Sequence, residues 1–311
     1  MYTNEFRAHT NDKRRRDGER AGKRGMAIRY AKPTDLEEAL RLLGEARWTI
    51  LAGGTDFYPA LGSAPLRDDV LDINGLAALK GVSETENHIV IGARATWTEL
   101  LRHPLPPAFD ALKLAAREVG SIQIQNSGTV AGNLCNASPA ADGVPPLLIL
   151  DAEVEIRSAR EKRILPLKDF ILGNRKTALG PGEMVTAVRI PRQAASGTSG
   201  FVKLGARRYL VISIAMAAAR VVVAEGKVAE AAISVGSCSA VAQRLVGLEE
   251  RLKGEPPQAC SGIVATYNFP ELSPIDDVRG TASYRLQAAR EIVARASLQA
   301  TGGDAEGGLA A

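Results

Sequence analysis

Cysteine is scarce in the 311-residue chain, and the three present, Cys135, Cys238 and Cys260, stand far apart. Without a CxxC pair or a regular spacing, they form neither the ligand set of an iron–sulfur centre nor a disulfide framework, and they fit a reducing compartment, the cytoplasm. Nowhere do apolar residues run long enough to cross a bilayer as a helix. No GxGxxG follows a candidate strand, so the Rossmann signature of an NAD site is missing. His88 precedes Ile89-Val90-Ile91 with no second His, Cys or acid at ligand spacing, and it reads as a solvent-facing strand residue rather than a metal ligand. No catalytic residue is assigned.

What is present is an ordinary globular composition, 45% apolar and 24% charged, with length for one large domain or two smaller ones. The net charge of +4 belongs to one end: residues 1–25 hold eight Lys or Arg against four acids, which leaves 31 of each sign in the remaining chain. A pI near 9.0 therefore describes a basic tail, expected to be disordered, and does not mark the body as a nucleic-acid binder. Met26, which opens AIRYAKPTDLEEALRLL, is expected to be the physiological start. A basic arm for acidic partners is the alternative.

Two runs are poor in side chains. Leu51-Ala52-Gly53-Gly54-Thr55-Asp56 follows the apolar segment 48–51, and residues 128–142 read GTVAGNLCNASPAAD, with neither helical nor strand periodicity. Backbone this bare can approach a ligand closely and aim successive N–H groups at an anion. One such turn often does no more than close a strand. Two of matching composition favour a pair of loops converging on one phosphorylated ligand.

LAGGTD at 51–56 and TVAGNLCNASPAAD at 129–142 resemble the two nucleotide motifs of the FAD-binding medium subunit of molybdenum hydroxylases, the family of xanthine dehydrogenase and carbon monoxide dehydrogenase. The likeness continues in PTDLEEAL (33–40), LDINGLAALKGV (71–82), IVIGARATWTEL (89–100), GSIQIQNSG (120–128), RKTALGPGE (175–183) and PIDDVRGTASYR (274–285), and spans roughly 26–298. It implies an α+β chain with an FAD-binding fold of the vanillyl-alcohol-oxidase type, a small α/β unit plus a mixed or antiparallel sheet, followed by an antiparallel sheet and helix domain. The implied domains are 26–198 and 199–298, between tails at 1–25 and 299–311.

The resemblance also implies a role: an electron-transfer flavoprotein subunit working beside a large molybdopterin subunit and a small [2Fe-2S] subunit, as a dimer of heterotrimers, with NAD or another acceptor. Flavin contacts are implied at Leu51, Ala52, Gly53, Gly54, Thr55, Asp56, Val185 and Lys203, the lysine beside the flavin ring. By chemistry, Thr129, Val130, Ala131 and Gly132 would supply N–H groups to the pyrophosphate, and Asn133 and Ser138 side-chain hydrogen bonds. A carboxylate would repel that pyrophosphate, so Asp142 is expected to accept from ribityl or ribose hydroxyls; capping a helix over 144–150 is its alternative. Relatives often have glycine where this chain has Ala131, which is tolerable if φ is negative there. Cys135 reads as small and buried, and Phe57 and Tyr58 as core material or, failing that, a border of the flavin. A stand-alone flavin oxidoreductase and a redox-inactive nucleotide-binding assembly subunit remain rivals.

Around these motifs the pattern predicts strands at 48–51, 70–73, 88–93, 152–157, 183–190 and 201–204, and helices at 36–43, 96–102, 108–119, 144–150, 241–252 and 284–296. Residues 191–200 read as a flexible surface connection. Apolar runs 211–224 and 231–236 form an antiparallel pair through Glu225-Gly226-Lys227.

Overall fold

The computed structural model describes residues 27–207 and 210–302. The expected tail over 1–25 and the residues from 303 onward lie outside the described residues.

The chain begins as a small α/β layer: β1 (Tyr30–Ala31), α1 (Leu36–Glu45), β2 (Thr49–Leu51), α2 (Phe57–Leu61) and β3 (Val70–Asp72), with strand order β1-β3-β2, all parallel. Asp35 starts α1 by accepting a hydrogen bond from the Glu38 N–H, and Ala39, Leu40 and Leu43 form its buried stripe. The parallel arrangement sends β2 out of its sheet directly into Gly53 and Gly54.

A longer second unit follows: β4 (Val82–Glu84), β5 (His88–Gly92), α3 (Trp97–Arg102), α4 (Asp110–Glu118), α5 (Ile122–Ser127), α6 (Val130–Asn136), α7 (Val144–Ile149), β6 (Glu153–Arg157), β7 (Lys162–Pro166), α8 (Leu167–Phe170), β8 (Ile171–Gly173), β9 (Lys176–Thr177) and β10 (Met184–Pro191). Its main sheet is antiparallel, in order β4-β5-β10-β6-β7. Period-two burial puts Ile89, Ile91, Val154, Ile156, Val188 and Ile190 on the core face. His88 is a strand residue but is not free in solvent: its ring nitrogens lie 3.1 Å from the Arg189 guanidinium and 3.4 Å from Glu153. The register with β6 shifts between Val185 and Ala187 of β10, a bulge at Thr186 beside the cleft described below.

The third unit is β11 (Thr198–Leu204), β12 (Ala215–Ala224), β13 (Lys227–Gly236) and β14 (Gln243–Arg244), antiparallel in that order, with α9 (Val246–Leu252), α10 (Cys260–Thr266) and α11 (Ala282–Ala300). Glu225 and Gly226, at φ 51 and 73, make the tight turn between β12 and β13. A second apolar core lies here, built from Ala217, Ile233, Val235, Leu248, Val264 and Val293 among others.

Three expectations are corrected. The surface connection expected over 191–200 is shorter than that: residues 192–195 form a 3-10 turn with Arg192 and Gln193 exposed, and from Thr198 the chain is already β11. Ser199 is buried, accepting from the Ala111 N–H and donating to the Ala108 carbonyl, and a Cβ on Gly200 would sit 2.4 Å from Gln299 of α11. The helix expected over 241–252 begins as strand β14, because Gln243 and Arg244 pair with Val235 and Ser234. Gln299 and Ala300 belong to α11 rather than to a tail, and Gln299 Oε1 accepts from the Phe201 N–H.

Candidate functional site

The exit of β2 is shaped by two glycines with different tasks. A Cβ on Gly53 would lie 1.9 Å from the Ser127 carbonyl oxygen, so only glycine lets this loop touch the α5–α6 junction. Gly54 adopts φ +73, the left-handed region in which side chains are strained. Across the contact, Gly128 brings its backbone within reach of Thr55, and Asn136 Nδ2 donates to Asp56 Oδ1 at 2.9 Å. The two runs, more than 70 positions apart in sequence, are thus one structure.

The 128–142 run is not the irregular loop its lack of periodicity suggests. Thr129 caps α6, its Oγ1 accepting from the Gly132 N–H at 2.9 Å, and Val130 and Leu134 bury one side of the short helix. Ala137 ends it in the left-handed conformation, φ 47, where glycine is usual. The Trp97 N–H to Gly128 carbonyl and Val130 N–H to Ala95 carbonyl bonds clip the helix start to α3. Ala131 has helical φ, so its methyl is accommodated without strain.

These elements enclose a cleft of about 890 Å³, a size suited to a nucleotide-sized ligand. Ala52, Gly53, Gly54, Thr55, Asp56, Thr129, Ala131, Gly132, Asn133 and Val185 line it, together with Trp48, Asn136 and the rim residues Arg67 and Asp68. Leu51 and Val130 are buried behind that surface. Of the four amides expected to face a pyrophosphate, those of Val130 and Gly132 are committed within the chain. Among the described residues no protein acceptor meets the N–H groups of Gly53, Gly54, Thr55 or Ala131. Asn133 Oδ1, an acceptor, is buried without a partner. A row of unpaired donors along the wall of such a cleft suits an anionic, phosphate-bearing ligand.

Aromatic and thiol placements differ from expectation. Phe57 lines the cleft and Tyr58 is 60% exposed, their rings edge-to-face at 5.2 Å, because α2 is a short surface helix with no buried residue. Cys135 is exposed on the cleft wall rather than buried, since it lies on the face of α6 opposite Val130 and Leu134.

Three expected site residues lie away from this cleft's lining. Ser138 turns inward to accept from the Ala140 N–H. Asp142 does not cap α7, whose N-cap is Gly143 with no side-chain bond. Its carboxylate is 8% exposed, with Oδ2 2.7 Å from Lys203 Nζ and Oδ1 accepting from Ser213 Oγ at 2.6 Å. Burial pushes the Asp142 pKa above the usual carboxylate value, against the lowering effects of Lys203 and Ser213. Lys203 instead borders a second cavity of about 430 Å³, with Leu114, Glu118, Phe201, Arg207 and Val211. Ser213 had no signal in the sequence: one serine in an apolar run acquires meaning only when the fold sets it against Asp142.

Two glycine-bearing segments closing on a single cleft, with no cluster of His, Cys, Asp or Glu able to hold a metal among the described residues, define a nucleotide-binding module. Residues 26–193 match the model described as FAD binding domain in molybdopterin dehydrogenase, and residues 201–300 the CO dehydrogenase flavoprotein C-terminal domain. The chain belongs to the family of FAD-binding medium subunits of molybdenum hydroxylases. It is 29% identical to the nicotine 6-hydroxylase medium subunit of Paenarthrobacter nicotinovorans, over 88% of this chain and 97% of that protein. It is 40% identical to the nicotinate dehydrogenase FAD-subunit of Eubacterium barkeri, over 58% of this chain and 64% of that one. Among solved structures, reconstituted CO dehydrogenase from Oligotropha carboxidovorans superposes with a TM-score of 0.79 at 26% identity, over 90% of this chain and 99% of that one.

Proposed function

We propose that this chain is the FAD-carrying electron-transfer subunit of a molybdenum hydroxylase, with FAD in the 890 Å³ cleft. The observation that carries the reading is the unpaired amide row at Gly53, Gly54, Thr55 and Ala131 on two loops held in backbone contact. Those amides, with the Thr55 hydroxyl, would hold the diphosphate; Asp56 and Asn133 would meet hydroxyls or ring edges, and Val185 at the β10 bulge would pack against the ligand. Held there, FAD supplies the chemistry of collecting electrons from [2Fe-2S] clusters of a small partner subunit and passing them to NAD or another acceptor.

The protein's share is binding, orientation and the exclusion of water. The buried Lys203–Asp142 pair sums to zero charge, so in this arrangement Lys203 offers a polarisable dipole rather than a free cation. The large molybdopterin subunit would hydroxylate the substrate, in a dimer of heterotrimers in the cytoplasm, and two domains meeting just before Thr198 would divide FAD binding from the β11–β14 sheet and its helices.

The test is a visible spectrum and an FAD-to-chain ratio on purified protein, followed by native pull-down. Flavin bands, near-stoichiometric FAD and two co-purifying redox subunits are expected. A solitary active flavoprotein would favour the stand-alone oxidoreductase, and a colourless chain in a stable complex the assembly subunit.

A further inference from the structure

The cleft that receives the diphosphate is poor in positive charge. Its charged lining residues are Asp56, Arg67 and Asp68, so a ligand with two phosphate charges enters a surface that is itself formally −1. Amide donors offer partial charges only, and a diphosphate in a partly enclosed site is held far better when one full cation meets it. Most cations around this end of the molecule are engaged: Arg29 grips Asp69 through two bonds, Lys32 lies 3.7 Å from Asp72, Arg94 donates to the Leu76 carbonyl and Lys203 is paired with Asp142. Arg67 is different. It is exposed on the rim segment that follows α2, it lines the cleft, and among the described residues its guanidinium has no hydrogen-bond, ion-pair or ring partner.

We infer that Arg67 is a ligand-binding residue that closes on the diphosphate of the bound dinucleotide, supplying the cation that the amide row lacks. The inference rests on the FAD reading above. A planar guanidinium suits two phosphate oxygens at once, and a rim position with an unengaged side chain lets it close after the ligand has entered. Because the Arg67 guanidinium has no hydrogen-bond, ion-pair or ring partner among the described residues, its removal is expected to separate binding from stability.

The experiment uses the full chain stripped of flavin, with FAD, ADP, adenosine and riboflavin as probes, in wild type, Arg67→Gln and Arg67→Lys, at low and high salt. Arg67→Gln should weaken FAD and ADP by roughly ten- to a hundredfold, the span of a lost charge-assisted bond. Arg67→Lys should fall between, keeping the charge but not the paired geometry. The salt dependence of FAD binding should flatten in Arg67→Gln, adenosine and riboflavin should bind as in wild type, and the unfolding midpoint should not move. Unchanged FAD affinity in Arg67→Gln, beside tight wild-type binding, overturns the inference alone. An equal loss for adenosine or riboflavin also overturns it, since the arginine would then serve a base or ring. A wild-type chain that binds neither FAD nor ADP overturns the FAD reading itself, and this inference with it.

Discussion

Around the larger cleft, among the described residues, the amides of Gly53, Gly54, Thr55 and Ala131 meet no acceptor and Asn133 Oδ1 is buried unpaired, whereas Lys203, which borders the smaller cavity, is paired with Asp142, both of whose carboxylate oxygens are engaged. The first region leaves polar groups waiting for something from outside the chain; the second has satisfied its own. Donors left open at a partly exposed cleft are free to meet a ligand, whereas groups already bonded to one another hold the chain together. The Asp142–Lys203 junction, by contrast, ties β11 and the segment leading into β12 to the turn before α7, and its energetics belong to folding.

Substitution of Asp142 should give the largest effect. Asp142→Ala leaves Lys203 buried without a counter-ion and should cost about 3–5 kcal/mol in denaturant unfolding, much of it restored by adding Lys203→Met. A loss below about 1 kcal/mol would show that the junction is not what holds these segments. Next comes Gly53→Val: its branched carbon would meet the Ser127 carbonyl, so the loops must part, at about 1–3 kcal/mol, and FAD content should fall more steeply than stability. Flavin retained at wild-type level would erase the distinction between the two regions. Gly132→Val is milder, because the added Cβ would lie 2.7 Å from Thr129 Oγ1 and disturb only the α6 cap, worth about 1 kcal/mol, while FAD occupancy drops measurably by absorbance.

The smallest effects are in pH. Asp277, held by the Arg279 N–H and by Arg285, has its pKa lowered to about 2, so its stabilisation is complete above the ordinary carboxylate pKa and lost as the pH falls towards 2. Asp142 has the opposite sign: a pKa raised by burial makes the folded chain bind the proton more tightly, so its contribution declines as the pH rises from about 4 through the folded value. Melting curves from pH 2 to 6 should lose only the Asp277 share of the wild-type acid sensitivity in Asp277→Asn, because Asp72, Glu155 and Glu183 also have lowered pKa values.

Periodicity located most elements. The alternation in His88–Gly92 and Glu153–Arg157, the stripe of α1 and the Glu225-Gly226 turn needed only local rules. The 128–142 run misled because α6 is one short helix whose signals, a Thr129 cap and two buried positions, are too few to make a period. Gly53 and Gly54 were readable as a close approach, but not what they approach: the Ser127 carbonyl is a tertiary fact. The bonds of Asp142 are tertiary facts of the same kind, since its partners Lys203 and Ser213 lie 61 and 71 residues away. The 191–200 segment reads as a linker by composition, but Gly200 at its end is what lets α11 pack against β11.

Hydrogen exchange by mass spectrometry on the flavin-free chain, with and without FAD, measures the unpaired amides most directly. The account predicts slowed exchange in peptides covering 52–56 and 129–133, with little change over 236–244. FAD binding that leaves 52–56 and 129–133 exchanging as fast as before would contradict it.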